Sequence, residues 1–131
     1  MSFYKNLLLI DDDADDHEIF VEAVKEIDSS IICTCLFDGE QSLNLLQKKD
    51  SVIPDLIFMD TNMPKISGKQ LLSSIKQSAS LNNIPVIMYS TFFSDKDLEE
   101  FIKIGAAHYL TKPSKFEELR SALSNILKKK W

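Results

Sequence analysis

The residues of this sequence that could do chemistry fall in four places: Asp11-Asp12-Asp13, Asp60, Ser90-Thr91 and Thr111-Lys112. Carboxylates held close together repel one another unless a cation joins them, and hard oxygen donors favour Mg2+ or Ca2+ over softer metals. Mg2+ usually keeps several waters and takes one or two carboxylates plus phosphoryl oxygens, so a lysine and a hydroxyl beside such a cluster describe a site for phosphoryl transfer. There the lysine would neutralise phosphoryl charge and the hydroxyl would donate a hydrogen bond to it. Asp60 could then be the nucleophile that forms an acyl phosphate.

Each of these residues also has an ordinary structural use. Asp13, Asp15 and Asp16 lie where a helix begins, and acids there stabilise the positive end of the helix dipole by about 0.3–1 kcal/mol each, which accounts for most of them. Asp60 alone could be a turn residue ahead of Pro64, and Ser90 could satisfy a strand-end backbone group. Lys112 alone would be a solvated surface lysine. A cap, however, needs one acid rather than a run emerging from a buried strand. Asp11 and Asp12 are therefore read as metal ligands, and Asp60 acquires a functional role from their company.

The elements that must position these residues follow from the apolar pattern. Short apolar runs recur at Leu7–Ile10, Ile31–Phe37, Leu56–Met59, Pro85–Tyr89 and Ala106–Leu110. Continuous runs bounded by polar residues suit strands buried on both faces, as in a parallel sheet. Between them lie helical stripes. Ile19, Phe20, Ala23, Val24 and Ile27 form the first, and Phe116, Leu119, Leu123, Ile126 and Leu127 the last, with charges opposite. Leu43 with Leu46, Leu71 and Leu72 with Ile75, and Leu98 with Phe101 and Ile102 mark the others. Strand then helix, repeated five times, predicts an α/β fold with parallel strands, right-handed crossovers and helices on both faces. Ligands of such sheets bind beyond the carboxyl ends of the strands. Every candidate residue above immediately follows an apolar run.

Composition limits the rest. A chain of 131 residues fits one domain, since single cores commonly hold about 100–150. Twenty acids against 15 bases give a net charge of -5, which argues against a general nucleic-acid binder. Leu7–Ile10 is too short for a secretory signal, and no apolar run approaches the roughly 20 residues needed to span a bilayer. The expectation is a soluble cytoplasmic domain with no output domain after it. Cys33 and Cys35, two apart on a strand, share a face at a separation too long for an unstrained disulfide, and read as free strand or core cysteines. Lys128–Lys130 and Trp131 read as a frayed basic helix end, where cations suit the dipole.

The runs LLLIDDD (7–13), PDLIFMDTNMPKISG (54–68), IPVIMYST (84–91) and GAAHYLTKP (105–113), in order and at the right spacing, resemble the receiver domain of two-component response regulators. The combination of D-x-x-M-P-x-x-x-G around Asp60 with K-P at the end of the fifth strand is specific. The resemblance implies a single receiver domain over residues 1–131, with a core from about 4 to 128. It implies a doubly wound five-stranded sheet of order 2-1-3-4-5 with five helices, a flavodoxin-like three-layer sandwich.

The same resemblance assigns roles. Asp60 would accept a phosphoryl group from a phosphohistidine on a sensor kinase or phosphotransfer protein. Asp12, Asp60 and the backbone carbonyl of Asn62 would ligate Mg2+ (or Mn2+), with Asp11 acting mainly through a bound water. Lys112 and Ser90 would contact the phosphoryl group, and Tyr109 would be the aromatic that turns inward on activation. Asn62 and Phe92 occupy positions that tune water access to the acyl phosphate, and Phe92 is a departure, since many relatives carry a polar or charged group there. Asp13, Asp15 and Asp16 make the rim more acidic than such a site requires, which could strengthen divalent binding or slow an anionic small-molecule donor. Lys112–Pro113 would be a cis peptide. Output would pass to an unidentified downstream protein, through the fourth helix, fifth strand and fifth helix around Tyr109 and His108, or back through the kinase as a phosphate relay or sink. Such a protein phosphorylates and dephosphorylates itself and is not a turnover enzyme.

Three rivals share parts of this pattern. A haloacid-dehalogenase-type phosphatase would use Asp11 and Asp13 but needs a further acidic pair after the lysine, where only Glu117 and Glu118 remain, and gives Asp60 no role. Asp11, Asp13, Asp15 and Glu22 match four positions of an EF-hand loop, yet Asp16 stands where its glycine is needed. A degenerate receiver acting only as a phosphorylation-independent binding module would not need every catalytic position filled.

Overall fold

The strands β1 (Asn6–Ile10), β2 (Ile32–Leu36), β3 (Leu56–Met59), β4 (Val86–Ser90) and β5 (His108–Thr111) alternate with the helices α1 (Ala14–Ile27), α2 (Gly39–Gln47), α3 (Gly68–Gln77), α4 (Asp95–Ile104) and α5 (Phe116–Leu127). They are seen in a computed structural model that describes residues 3–48, 50 and 52–131. All pairings are parallel, and the sheet order is β2-β1-β3-β4-β5. This is the flavodoxin-like arrangement that the family resemblance implies.

Successive strand residues point to opposite faces, so an apolar run in a central strand feeds two cores at once. On one face Leu7, Leu9, Phe58, Ile87 and Tyr89 pack against Phe20 and Val24 of α1 and Leu119 and Leu123 of α5. On the other, Leu8, Ile10, Ile57, Met59 and Met88 meet Leu46 of α2, Leu71, Leu72 and Ile75 of α3 and Phe101 of α4. Phe20, Phe58 and Tyr89 interlock edge to face, with ring centroids 5.0–6.4 Å apart.

Burial on both faces holds for β1, β3 and β4. It does not hold for the edge strands, because the helices cover the middle of the sheet more fully than its margins: Ile32 on β2 is 62% exposed and Tyr109 on β5 39%. Two stripe residues are also corrected. Ile19 and Ile102 are exposed, since consecutive helical residues diverge by about 100° and Phe20 and Phe101 take the inward positions. Cys33 and Cys35 are free and pack against the α1/α5 core. Burial pushes the Cys33 thiol up to about 12 and raises Cys35 as well.

The segment after α5 is tied down rather than frayed. Trp131 donates its backbone N–H to Tyr4 Oη (2.9 Å) and its indole N–H to the Ile126 carbonyl (2.9 Å). Among the described residues no helix is long and apolar enough to cross a membrane.

Candidate functional site

The carboxyl ends of β1, β3, β4 and β5 bring the candidate residues together. At the end of β1, Asp11 continues the ladder through its N–H to the Leu36 carbonyl (3.0 Å), and its side chain is fully buried. A carboxylate oxygen of Asp11 accepts the Asp13 N–H at 3.0 Å, closing the turn into α1, and Asp13 caps that helix by accepting the Asp15 N–H. Across the sheet, the Asp60 N–H reaches the Ile10 carbonyl (2.9 Å), which sets Asp60 beside Asp11. One carboxylate oxygen from each of Asp11, Asp12 and Asp60 lies within 4.8 Å of the others.

The loop after Asp60 is held in place by its own backbone. Ile66 N–H bonds to the Pro64 carbonyl at 2.8 Å with Lys65 at φ 70°, a γ-turn that places a non-glycine residue in a sparsely populated region. Ser67 then opens α3 with a capping box to Gln70. Gly68 packs so closely on this loop that a β-carbon there would stand 2.9 Å from the Asp60 carbonyl oxygen.

Lys112 enters from the end of β5, its N–H on the Ser90 carbonyl (2.7 Å). Its ammonium lies 2.7 Å from Asp11 Oδ2, 2.7 Å from Asp16 Oδ2 and 3.7 Å from Asp60 Oδ2. It also sits over the Tyr89 ring at 5.1 Å. Burial by itself would lower the lysine, but the hydrogen bonds to Asp11 and Asp16 outweigh it and hold Lys112 above its ordinary value. Burial likewise pushes Asp60 up to about 6, opposed by the Lys112 charge and reinforced by that of Asp11. Desolvation also raises Tyr89.

Ser90, at the end of β4, is buried, whereas Thr91 points to solvent. The Ser90 hydroxyl donates to the Phe92 carbonyl (3.2 Å) and lies 3.0 Å from the Thr61 hydroxyl. Phe92 is 72% exposed, and Asn62 is exposed on the facing loop. Tyr109 stands away from the carboxylates, between Phe93 and His108 with ring centroids 5.6 Å from each. The Lys112–Pro113 bond is trans, correcting the cis expectation. No cis bond occurs among the described residues, and X-Pro bonds prefer trans by about 0.5–1 kcal/mol.

Three residues belong to this constellation whose contacts sequence reasoning missed. Asp16, read as a helix-dipole acid and as part of an acidic rim, is a direct partner of Lys112. Thr61 holds the Ser90 hydroxyl. His17 is buried with Nε2 2.6 Å from the Asp11 carbonyl oxygen, bracing the turn from behind. The signal for Asp16 was its place in the first helical turn, close to the sheet edge; Thr61 and His17 carried none.

Three clustered carboxylates with no soft donor fit a hard divalent cation. Lys112 balances only part of their charge. The arrangement can present one buried carboxylate, Asp60, to an electrophile whose negative charge is met by an ammonium and a hydroxyl.

A family model described as the response regulator receiver domain matches residues 7–124. The chain is 31% identical over 128 residues to response regulator Rcp1 of Synechocystis sp., an alignment covering 93% of this chain and 86% of that one. The crystal structure of the Mn(2+)-bound form of Rcp1 superposes with a TM-score of 0.85 at 29% identity, covering 93% of this chain and 91% of that. The phosphorylated cyanobacterial phytochrome response regulator RcpA superposes with a TM-score of 0.86 at 26% identity, covering 94% and 91%.

Proposed function

The chain belongs to the response regulator receiver domain family, and from that premise we propose that residues 1–131 form a single receiver domain whose phosphoryl acceptor is Asp60. One observation carries the assignment: Asp60 is buried at the end of β3, with its carboxylate grouped with Asp11 and Asp12 and 3.7 Å from the Lys112 ammonium.

In the reaction, an Asp60 carboxylate oxygen attacks the phosphorus of a phosphohistidine on a sensor kinase or phosphotransfer protein. The P–N bond breaks, its electron pair returns to the imidazole, and an aspartyl phosphate remains. A bound Mg2+, or Mn2+, would be held by Asp12, Asp60 and the Asn62 carbonyl with Asp11 behind a water, and would neutralise charge on the phosphoryl oxygens. Lys112 supplies a positive charge to the same group. Ser90 leaves Thr61 and the Phe92 carbonyl to donate to a phosphoryl oxygen. That movement displaces the β4–α4 loop and lets Tyr109 repack, which changes the α4–β5–α5 surface offered to a downstream protein. Asn62 and Phe92, both exposed, govern how water reaches the acyl phosphate. The protein acts in the cytoplasm on protein partners, without nucleic acid or membrane, as a switch rather than a turnover enzyme.

Intact mass after incubation with Mg2+ and acetyl phosphate tests this. Wild type gains one phosphoryl group, and neither Asp60→Asn nor metal-free wild type does. Failure of wild type to take either the phosphoryl group or beryllofluoride would overturn the assignment in favour of a binding module that works without phosphorylation.

A further inference from the structure

Asp16 has no part in the phosphoryl chemistry just described, yet it makes one of the two shortest contacts of the Lys112 ammonium. Its Oδ2 lies 2.7 Å from Nζ, level with Asp11 and a full ångström nearer than Asp60. Helix capping does not explain this placement, because Asp13 already fills the N-cap of α1. Nor is it a loose surface pair, since the Lys112 side chain is only 9% exposed. An ammonium has three N–H donors. In the resting protein two of them point to Asp11 and Asp16, and neither of those bonds is to the acceptor.

We propose that Asp16 is a positioning residue, which holds the Lys112 ammonium on the α1 side of the site and away from Asp60 until a phosphoryl group draws it across. The proposal rests on the reading of Asp60 as acceptor. It has two consequences of opposite sign. The negative charge of Asp16 offsets Lys112 and so favours a divalent cation among Asp11, Asp12 and Asp60. The same charge, by engaging Lys112, opposes the approach of an anionic phosphodonor. A merely structural role for Asp16 would not move these two properties in opposite directions.

The test compares wild type with Asp16→Asn, Asp16→Glu and Asp15→Asn. Asp15→Asn removes the same charge from an exposed neighbour that makes no ion pair among the described residues. Mg2+ dissociation constants are measured by calorimetry, and phosphorylation by acetyl phosphate is followed by intact mass over a range of donor concentrations. For Asp16→Asn, the loss of one charge a few ångströms away should weaken Mg2+ binding about three- to tenfold and, at saturating Mg2+, speed phosphorylation about three- to tenfold at low donor concentration, through a lower KM. Asp16→Glu should return both values toward wild type, and Asp15→Asn should change each less than about twofold, its charge being more fully screened. Asp16→Asn matching Asp15→Asn, or moving both properties in the same direction, would overturn the proposal. If wild type takes neither the phosphoryl group nor beryllofluoride, the Asp60 assignment fails, while the Mg2+ constants still decide the role of Asp16.

Discussion

The Lys112 ammonium stands 3.7 Å from the Asp60 carboxylate, inside coulombic range and outside hydrogen-bonding range. Asp60 therefore feels the lysine only as a charge, while burial and the Asp11 carboxylate act on it in the other direction. Asp60 is left as a carboxylate poorly compensated by the fold around it, and in this state its ionisation works against stability.

Replacing Asp60 by Asn should accordingly stabilise the metal-free protein at neutral and alkaline pH. The carboxyl sits at about 6 in the folded state against an ordinary 3.8, so the folded form binds more protons than the unfolded form between those values. By linkage, the contribution of Asp60 to stability falls as pH rises through that window. Urea unfolding in a chelating buffer should show Asp60→Asn more stable than wild type by about 1–3 kcal/mol at pH 8, an advantage that shrinks toward pH 4. Equal stabilities at pH 8 would mean that the carboxylate is compensated after all.

Divalent cation should narrow that difference or reverse it. A ligand that binds only the folded state stabilises it by an amount that grows with the logarithm of its concentration over Kd. Mg2+ at about 100 times its Kd would then add about 2.7 kcal/mol to wild type. Asp60→Asn, with one of the three clustered carboxylates gone, should gain markedly less at the same concentration. Thermal melts with and without Mg2+ measure the difference. Identical gains in both proteins would place the cation elsewhere.

Much of this site could be read in the chain because its parts follow central strands. Leu7–Ile10, Leu56–Met59 and the run before Ser90 are apolar on both faces only because two cores enclose them, and that fixes where Asp11, Asp60 and Ser90 emerge. Asp16 was legible as a rim acid, but its contact was not, for a physical reason. Its partner Lys112 lies 96 residues away, and locally an acid in the first turn of a helix is already accounted for by the dipole. The contacts of Thr61 and His17 are likewise settled by packing, not by any local pattern. The edge strands misled because an apolar run does not say how far the helices extend over it. Trp131 misled because a basic helix end reads as solvated until its indole finds a partner.

Gly68→Ala should damage both stability and phosphorylation. The added β-carbon would lie 2.9 Å from the Asp60 carbonyl oxygen and 3.0 Å from the Thr61 Cα and carbonyl oxygen. All three are backbone atoms and cannot swing aside, so either α3 or the loop carrying Asp60 must shift. Overpacking of this kind costs about 1–3 kcal/mol. Urea unfolding should register that loss, and the yield of phosphoprotein from acetyl phosphate should fall in the surviving folded fraction. Full yield with unchanged stability would show that the loop has slack the geometry does not suggest.

At the far end of β5, the Trp131 indole is stacked on the His108 imidazole, with centroids 4.8 Å and planes 15° apart, and Lys129 Nζ lies 5.8 Å from the indole centre. Burial, followed by the Lys129 charge, holds His108 below its ordinary 6.5. The folded state therefore takes up this proton later than the unfolded state, so the stack contributes its full stability above 6.5 and loses it as pH falls through the window below. Trp131 is the only tryptophan in the sequence, which makes its fluorescence a direct report on this pair. Emission should fall on acidification with a midpoint below 6.5, as the imidazolium forms beside the ring and quenches it. His108→Gln should abolish the transition. Asp60→Asn should leave it in place, which separates it from the titration of Asp60 near 6. A midpoint at or above 6.5, or a transition that survives His108→Gln, would show that the stack does not control the titration.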